Sequence, residues 1–229
     1  MPRYIMPKAV GAALAVLLPT IALPQSLGRL EIHTIPSVTV DNAQFLTGNR
    51  YGKPVTVAGE LRLPTGTTER LPAVILIHGS GGVSGATEHW ADELNAVGVA
   101  AFVLDSFTGR GIVNTLADQS QLDSIAMMHD AFTALDLLGT HPRIDAARIA
   151  VMGFSKGAVP AIYSSNQRFQ KLYGPRNTTF AAHIGLYTPC NVTYREDAQT
   201  SGRPIRSKDH VARAAYCRPG LRRRRAIRF

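Results

Sequence analysis

Cysteine is scarce: the 229 residues contain two, Cys190 and Cys217. One disulfide is the most they can form, so a framework of cross-links is excluded and the fold must rest on a buried core. Charged residues are also few, at 18% against 45% hydrophobic, which excludes a chain kept disordered by charge. Apolar runs long enough to cross a bilayer are missing as well. The stretch AVGAALAVLLPTIAL that follows MPRYIMPK has the length of a signal-peptide core and is too short for a membrane span. No internal repeat is visible, and the glycine-rich segment HGSGG lacks the Lys-Ser/Thr ending of a phosphate-binding loop. The reading assigns no cofactor and no metal.

Acidic residues fall short of basic ones by nine, and the deficit sits at one end. Residues 203–229 hold nine Arg and one Lys against Asp209, a balance of +9, which leaves fifteen basic and fifteen acidic residues in the rest of the chain. A basic excess suggests nucleic acid or an anionic membrane as partner. Here it describes only the tail, and without interleaved aromatics or a known motif it predicts no specific nucleic-acid partner. A tail that binds nucleic acid or anionic lipid is kept as an alternative to catalysis, as is a non-catalytic binding module or relic. The expected organisation is a signal peptide at 1–24, an extended lead-in at 25–54, one α/β domain at 55–206 and an aberrant basic tail at 207–229. Export to the periplasm or exterior follows, with no membrane span left after cleavage. The oligomeric state is open.

Along the chain, residues 37–40 read as a short strand within the lead-in, and residues 55–63 alternate well enough for a second. LPAVILIHG is a continuous apolar run suited to a central strand covered on both faces. Trp90, Leu94 and Val97 recur at helical spacing, with Gly98 placed to end the helix. VAAFVLD is another buried strand. Residues 121–138 predict a helix with Ile125, Met128, Phe132, Leu135 and Leu138 on one stripe. Residues 148–152 form a strand, GFSKG turns, and AVPAIYSSNQRF starts a helix that tolerates Pro160 in its first turn. FAAHIGLY is a further strand. Strands and helices alternating at these lengths predict a mostly parallel sheet with flanking helices.

Gly153-Phe154-Ser155-Lys156-Gly157 fits G-x-S-x-G between an apolar strand and a helix. That spacing puts a serine on a sharp strand-to-helix turn, where glycines on either side remove Cβ atoms that would collide with neighbouring backbone. Ser155 is the candidate nucleophile, and Gly153 and Gly157 are the elbow glycines. The second motif is His78-Gly79-Ser80-Gly81-Gly82 after the strand AVILI. In such sites the loop after this strand and the residue after the nucleophile donate backbone N–H groups to an oxyanion, which selects Ser80 and Lys156. His78 reads as structural more than as a base.

With AVILIHGSGG, LDSFTGRG, HPRIDAARIAVMGFSKG and YTPCNVT in order, the chain resembles the dienelactone hydrolase family of α/β-hydrolases from about residue 59 to 206. The resemblance implies the α/β-hydrolase fold and hydrolysis of a small-molecule carboxylic ester or lactone. Dienelactone hydrolase itself uses a cysteine nucleophile, and serine stands here. His78, Gly79, Asp105 and Arg110 are candidate pocket residues.

The family pattern then requires an acid and a histidine after the serine. GRPIR reads as the start of the strand that leads to the acid, but SKDHVARAAYCRPGLRRRRAIRF follows in place of more apolar sequence. The last strands and helices of the fold are expected to be missing, through a shifted frame or a premature end, and the hydrolase to be impaired. Two histidines follow Ser155. His183 falls in a strand and reads as core. Asp209 and His210 are the right residue types, yet adjacent residues of extended chain point to opposite sides, which disfavours them as one acid–base pair.

Overall fold

The computed structural model describes residues 27–66, 69–189, 194 and 198–208. Seven strands form one sheet in the order β1-β2-β4-β3-β5-β6-β7. They are β1 (Leu27–Thr39), β2 (Lys53–Pro64), β3 (Leu71–Ile77), β4 (Ala100–Asp105), β5 (Ile144–Phe154), β6 (Ala182–Leu186) and β7 (Ile205–Lys208). The pairs β1/β2 and β2/β4 are antiparallel, whereas β4, β3, β5, β6 and β7 run parallel. The class is therefore α/β with a mostly parallel sheet. No helix among the described residues is long and apolar enough to cross a membrane.

Helices cover both faces. On one lie α3 (Ser124–Gly139) and α4 (Ala158–Tyr163), sealing the larger core; α1 (Asn42–Thr47) and α5 (Gln167–Tyr173) add Phe45, Phe169 and Tyr173 to it. On the other, α2 (Gly85–Ala96) packs over β4, β2 and β3. The expected stripe of α3 is buried throughout, and Ala126, Met127, Ala131 and Ala134 are buried with it. Small side chains let this helix lie close to the sheet.

Local departures from expectation have local causes. The lead-in is not a short strand at 37–40, because β1 begins at Leu27 and pairs with β2 along its length. Its inward positions include Glu31, His33 and Ser37, all partly or fully buried and hydrogen-bonded. Polar residues facing inward hid the alternation that marks a strand. In α2, Val97 caps the helix and is 73% exposed, while Thr87, Ala91 and Asn95 face the sheet. Asn95 fits there because its amide donates to the Arg62 and Val99 carbonyls. The helix after the GFSKG turn is two helices. Ser164 and Ser165 donate back to the carbonyls of Ala161 and Ile162 at 2.8 and 2.7 Å, and Asn166 caps α5 by accepting from the Arg168 and Phe169 N–H groups. At the far edge β7 runs to Lys208.

Candidate active site

Ser155 stands on a sharp turn directly after β5, with φ at +51°, a left-handed conformation that a serine adopts only under constraint. The turn opens a short 3-10 segment, Ser155–Gly157, which runs into α4. Both elbow glycines are required by contact. A Cβ on Gly153 would lie 1.9 Å from the Gly157 carbonyl oxygen, and one on Gly157 would lie 2.3 Å from the His78 oxygen. The turn thus exposes Ser155 while its neighbours are buried. Gly157→Ala is expected to lower folding stability by at least about 1–3 kcal/mol, the range for overpacking, because the obstructing atoms are backbone. Urea denaturation followed by circular dichroism measures it.

The glycine-rich loop lies against this turn. A Cβ on Gly79 would meet the Phe154 carbonyl at 3.1 Å and the Ser155 Cβ at 3.4 Å, so Gly79 borders the nucleophile. A tight turn closes through the Gly82 N–H on the Gly79 carbonyl. Ser80 is held at two points: its carbonyl accepts from the Thr115 N–H at 2.8 Å and its hydroxyl donates to Gln119 Oε1 at 3.0 Å. No described residue accepts from its N–H. The Lys156 N–H lies in the first turn after the elbow, where backbone donors lack helical acceptors. Its side chain is buried, and Nζ donates to the Gln119 carbonyl at 2.8 Å. Burial pushes that ammonium below the usual lysine range. Lys156 therefore anchors the loop at 115–119, which also holds Ser80.

His78 is enclosed between two loops. It is buried, its Nδ1–H donates to the Gly79 carbonyl at 2.8 Å, and its Nε2 accepts from the Ser106 N–H at 3.2 Å. With both ring nitrogens in use it serves as a brace between two loops. Arg110 is engaged by other residues of the chain. Its guanidinium makes a bidentate pair with Asp130 at 2.8 and 3.0 Å and also reaches Thr39 Oγ1 and the Ser106 carbonyl. Asp105 sits at the end of β4. It lines a cavity of about 340 Å³, and its carboxylate accepts from the Phe107 and Thr108 N–H groups. Burial pushes its pKa up, yet these hydrogen bonds outweigh burial and hold it below the usual carboxylate range.

That cavity lies between the glycine loop, with Gly82 and Val83, and the loop that carries Phe107, Thr108, Ile112 and Val113; Ser155 is not among its lining residues. Sequence reasoning missed Phe107, Ile112 and Val113, although the segment containing Phe107 was legible as a loop. It also missed Asp130, whose signal was a carboxylate between Met127, Met128 and Phe132 on the apolar side of the helix. Among the described residues no histidine or carboxylate hydrogen-bonds the Ser155 hydroxyl. His183 is a core residue on β6, with Nδ1 engaged by the Ser164 hydroxyl at 3.0 Å and the Ala161 carbonyl at 3.1 Å. Asp209, His210, Cys190 and Cys217 lie outside the described residues. Lys208, at the end of β7, shares a register row with Leu186 and Phe154, the residue before Ser155.

No family model and no curated protein matches the chain. Among solved structures it is similar to a dienelactone hydrolase-like promiscuous phosphotriesterase from metagenomic libraries, with a TM-score of 0.50 at 16% identity over 79% of this chain and 68% of that one. It is also similar to a hyperthermophilic esterase from the archaeon Pyrobaculum calidifontis, with a TM-score of 0.50 at 21% identity over 74% of this chain and 47% of that one. The strand order, the elbow after β5 and these likenesses agree: the chain has the α/β-hydrolase fold.

Proposed function

We propose that this protein is an exported serine hydrolase that cleaves a small carboxylic ester or lactone through Ser155, with slow turnover. The observation that carries the reading is the left-handed turn at Ser155, exposed at the carboxyl end of β5 and bordered by Gly79 of the glycine loop, which makes the Ser80 and Lys156 N–H groups the candidate oxyanion donors. Attack by the hydroxyl on an acyl carbon builds negative charge on the carbonyl oxygen, and two fixed backbone donors are suited to receive it. The cavity lined by Val83, Phe107, Ile112 and Val113 offers an apolar seat beside the glycine loop for part of the substrate. The neighbours named as a phosphotriesterase and an esterase act on ester bonds, which agrees with this chemistry. Export rests on the basic and then apolar start of the chain.

Slow turnover follows from the surroundings of the hydroxyl. Ser155 has no acid–base partner among the described residues, and a triad that lacks a member retains only about 10³- to 10⁴-fold catalysis over water. A fluorophosphonate probe with peptide mapping tests the nucleophile, and an aryl ester assay tests the rate. Labelling at Ser155 that is lost in Ser155→Ala, with kcat far below the enzyme median of roughly 10 s⁻¹, is the expected result. Labelling elsewhere would remove Ser155 from its role. A rate near the median that falls in His210→Ala would identify His210 as the missing base.

A further inference from the structure

At the sheet edge farthest from β7, one carboxylate and two imidazoles converge. Glu31 Oε2 lies 3.1 Å from His33 Nε2 and 3.1 Å from His141 Nε2, and the three donor atoms all lie within 4.8 Å of one another. Glu31 and His33 are two residues apart on β1, so the strand's alternation puts them on the same face. His141 comes from the turn between α3 and β5. Side-chain exposures of 14%, 22% and 10% leave the cluster sheltered and still open to one solvent ligand.

We infer that Glu31, His33 and His141 form a binding site for a divalent transition-metal ion of the Zn²⁺ type, which ties edge strand β1 to the α3–β5 turn. Two imidazole nitrogens and one carboxylate oxygen are a donor set that suits Zn²⁺, whereas Mg²⁺ and Ca²⁺ favour oxygen alone. Bonds of about 2.0–2.1 Å in a tetrahedron set ligand atoms about 3.4 Å apart. The two Glu31–His separations are already close to that, and the imidazole nitrogens need only to draw together. The two rings stand nearly perpendicular at 84°, so neither blocks the approach of the other. Arg29 occupies the second carboxylate oxygen, Oε1, at 2.9 Å and leaves Oε2 for the ion. Arg29 is 69% exposed, so water screens its repulsion of a cation.

The ion-free arrangement opposes binding at one point. The Arg143 N–H faces His141 Nδ1 at 3.2 Å, which keeps the ring proton on Nε2. An ion on Nε2 moves that proton to Nδ1, so binding displaces the Arg143 contact and is weaker than in a fully prearranged site. The site meets β5 only at its start, through the turn before Ile144, whereas Ser155 follows the opposite end of that strand at Phe154, so its role is structural and independent of Ser155.

The test uses the full chain, stripped with EDTA and titrated with Zn²⁺ alone. One equivalent retained after desalting and a rise in Tm of about 3 °C or more at saturating Zn²⁺ are expected, since an ion that binds only the folded state raises its stability. Mg²⁺ at the same concentration is expected to leave Tm unchanged. His33→Gln and His141→Ala should each lose the retained equivalent, and Glu31→Gln, close in shape to wild type, should weaken affinity at least tenfold. The exposed His89→Ala should match wild type. Absence of saturable binding at one equivalent overturns the proposal. So does retention of that equivalent by all three site variants, which would place the ion elsewhere in the chain.

Discussion

Arg110→Ala is expected to lower folding stability by about 3–5 kcal/mol, the loss that follows when one partner of a buried ion pair is removed. Asp130 is fully buried in α3, and Arg110 is 5% exposed. The bidentate contact is supplemented by a hydroxyl: Ser37 Oγ donates to Asp130 Oδ1 at 2.6 Å. With the guanidinium gone, the fully buried carboxylate would keep the Ser37 contact alone. The same substitution frees the backbone it holds, since Arg110 donates to the Ser106 carbonyl at 2.6 Å and the Val38 carbonyl at 3.3 Å. Three elements are joined at this point: β1, the loop after β4, and α3. Arg110→Lys should recover only part of the loss, because an ammonium cannot match the planar bidentate geometry. Urea midpoints for Arg110→Ala, Asp130→Ala and the double variant form a cycle that isolates the pair. If Arg110→Ala falls within about 0.5 kcal/mol of wild type, the network is not a stabilising one.

This network also shows where sequence reading ended. Apolar strands such as LPAVILI and the five-residue stripe of α3 announced their burial, because side-chain periodicity and burial have one cause. The elbow at Ser155 was legible for a related reason, namely that its steric demands allow little besides glycine at 153 and 157. Arg110 was different. It was read as a possible pocket residue from its place in the loop after a strand, and only the three-dimensional approach of α3 reveals Asp130 as its partner. Strand β1 was mostly illegible, since its inward Glu31 and Ser37 are satisfied by groups distant in sequence. Pairings between remote residues leave no local period. The break between α4 and α5 had a local signal in Ser164, Ser165 and Asn166, residues that bond back to the backbone.

Stability is expected to fall by on the order of 3 kcal/mol from His183 alone as the pH drops from about 6.5 to about 4. Burial lowers the pKa of this histidine from 6.5 to about 4, against a smaller opposing effect of its bond to the Ala161 carbonyl. Unfolding returns the ring to water, where it takes up a proton below about pH 6.5. In that interval the unfolded chain binds more protons than the folded one, so stability decreases as the pH decreases. Above it both states are neutral and His183 makes no pH-dependent contribution. Burial also depresses the pKa of His78 and His129, so both add loss of the same sign. Carboxylates held below their usual range, such as Asp105, lose their contribution only at lower pH, nearer 4 and under. The interval between pH 7 and 5 therefore reports on histidines. Urea midpoints measured at pH 7 and pH 5 should differ clearly in the wild-type chain and differ less in His183→Gln, whose amide keeps a hydrogen-bond donor. Equal midpoints at the two pH values in the wild type would mean that His183 is protonated in the folded state, and hence less shielded from water than its place on β6 between Ser164 and the Ala161 carbonyl requires.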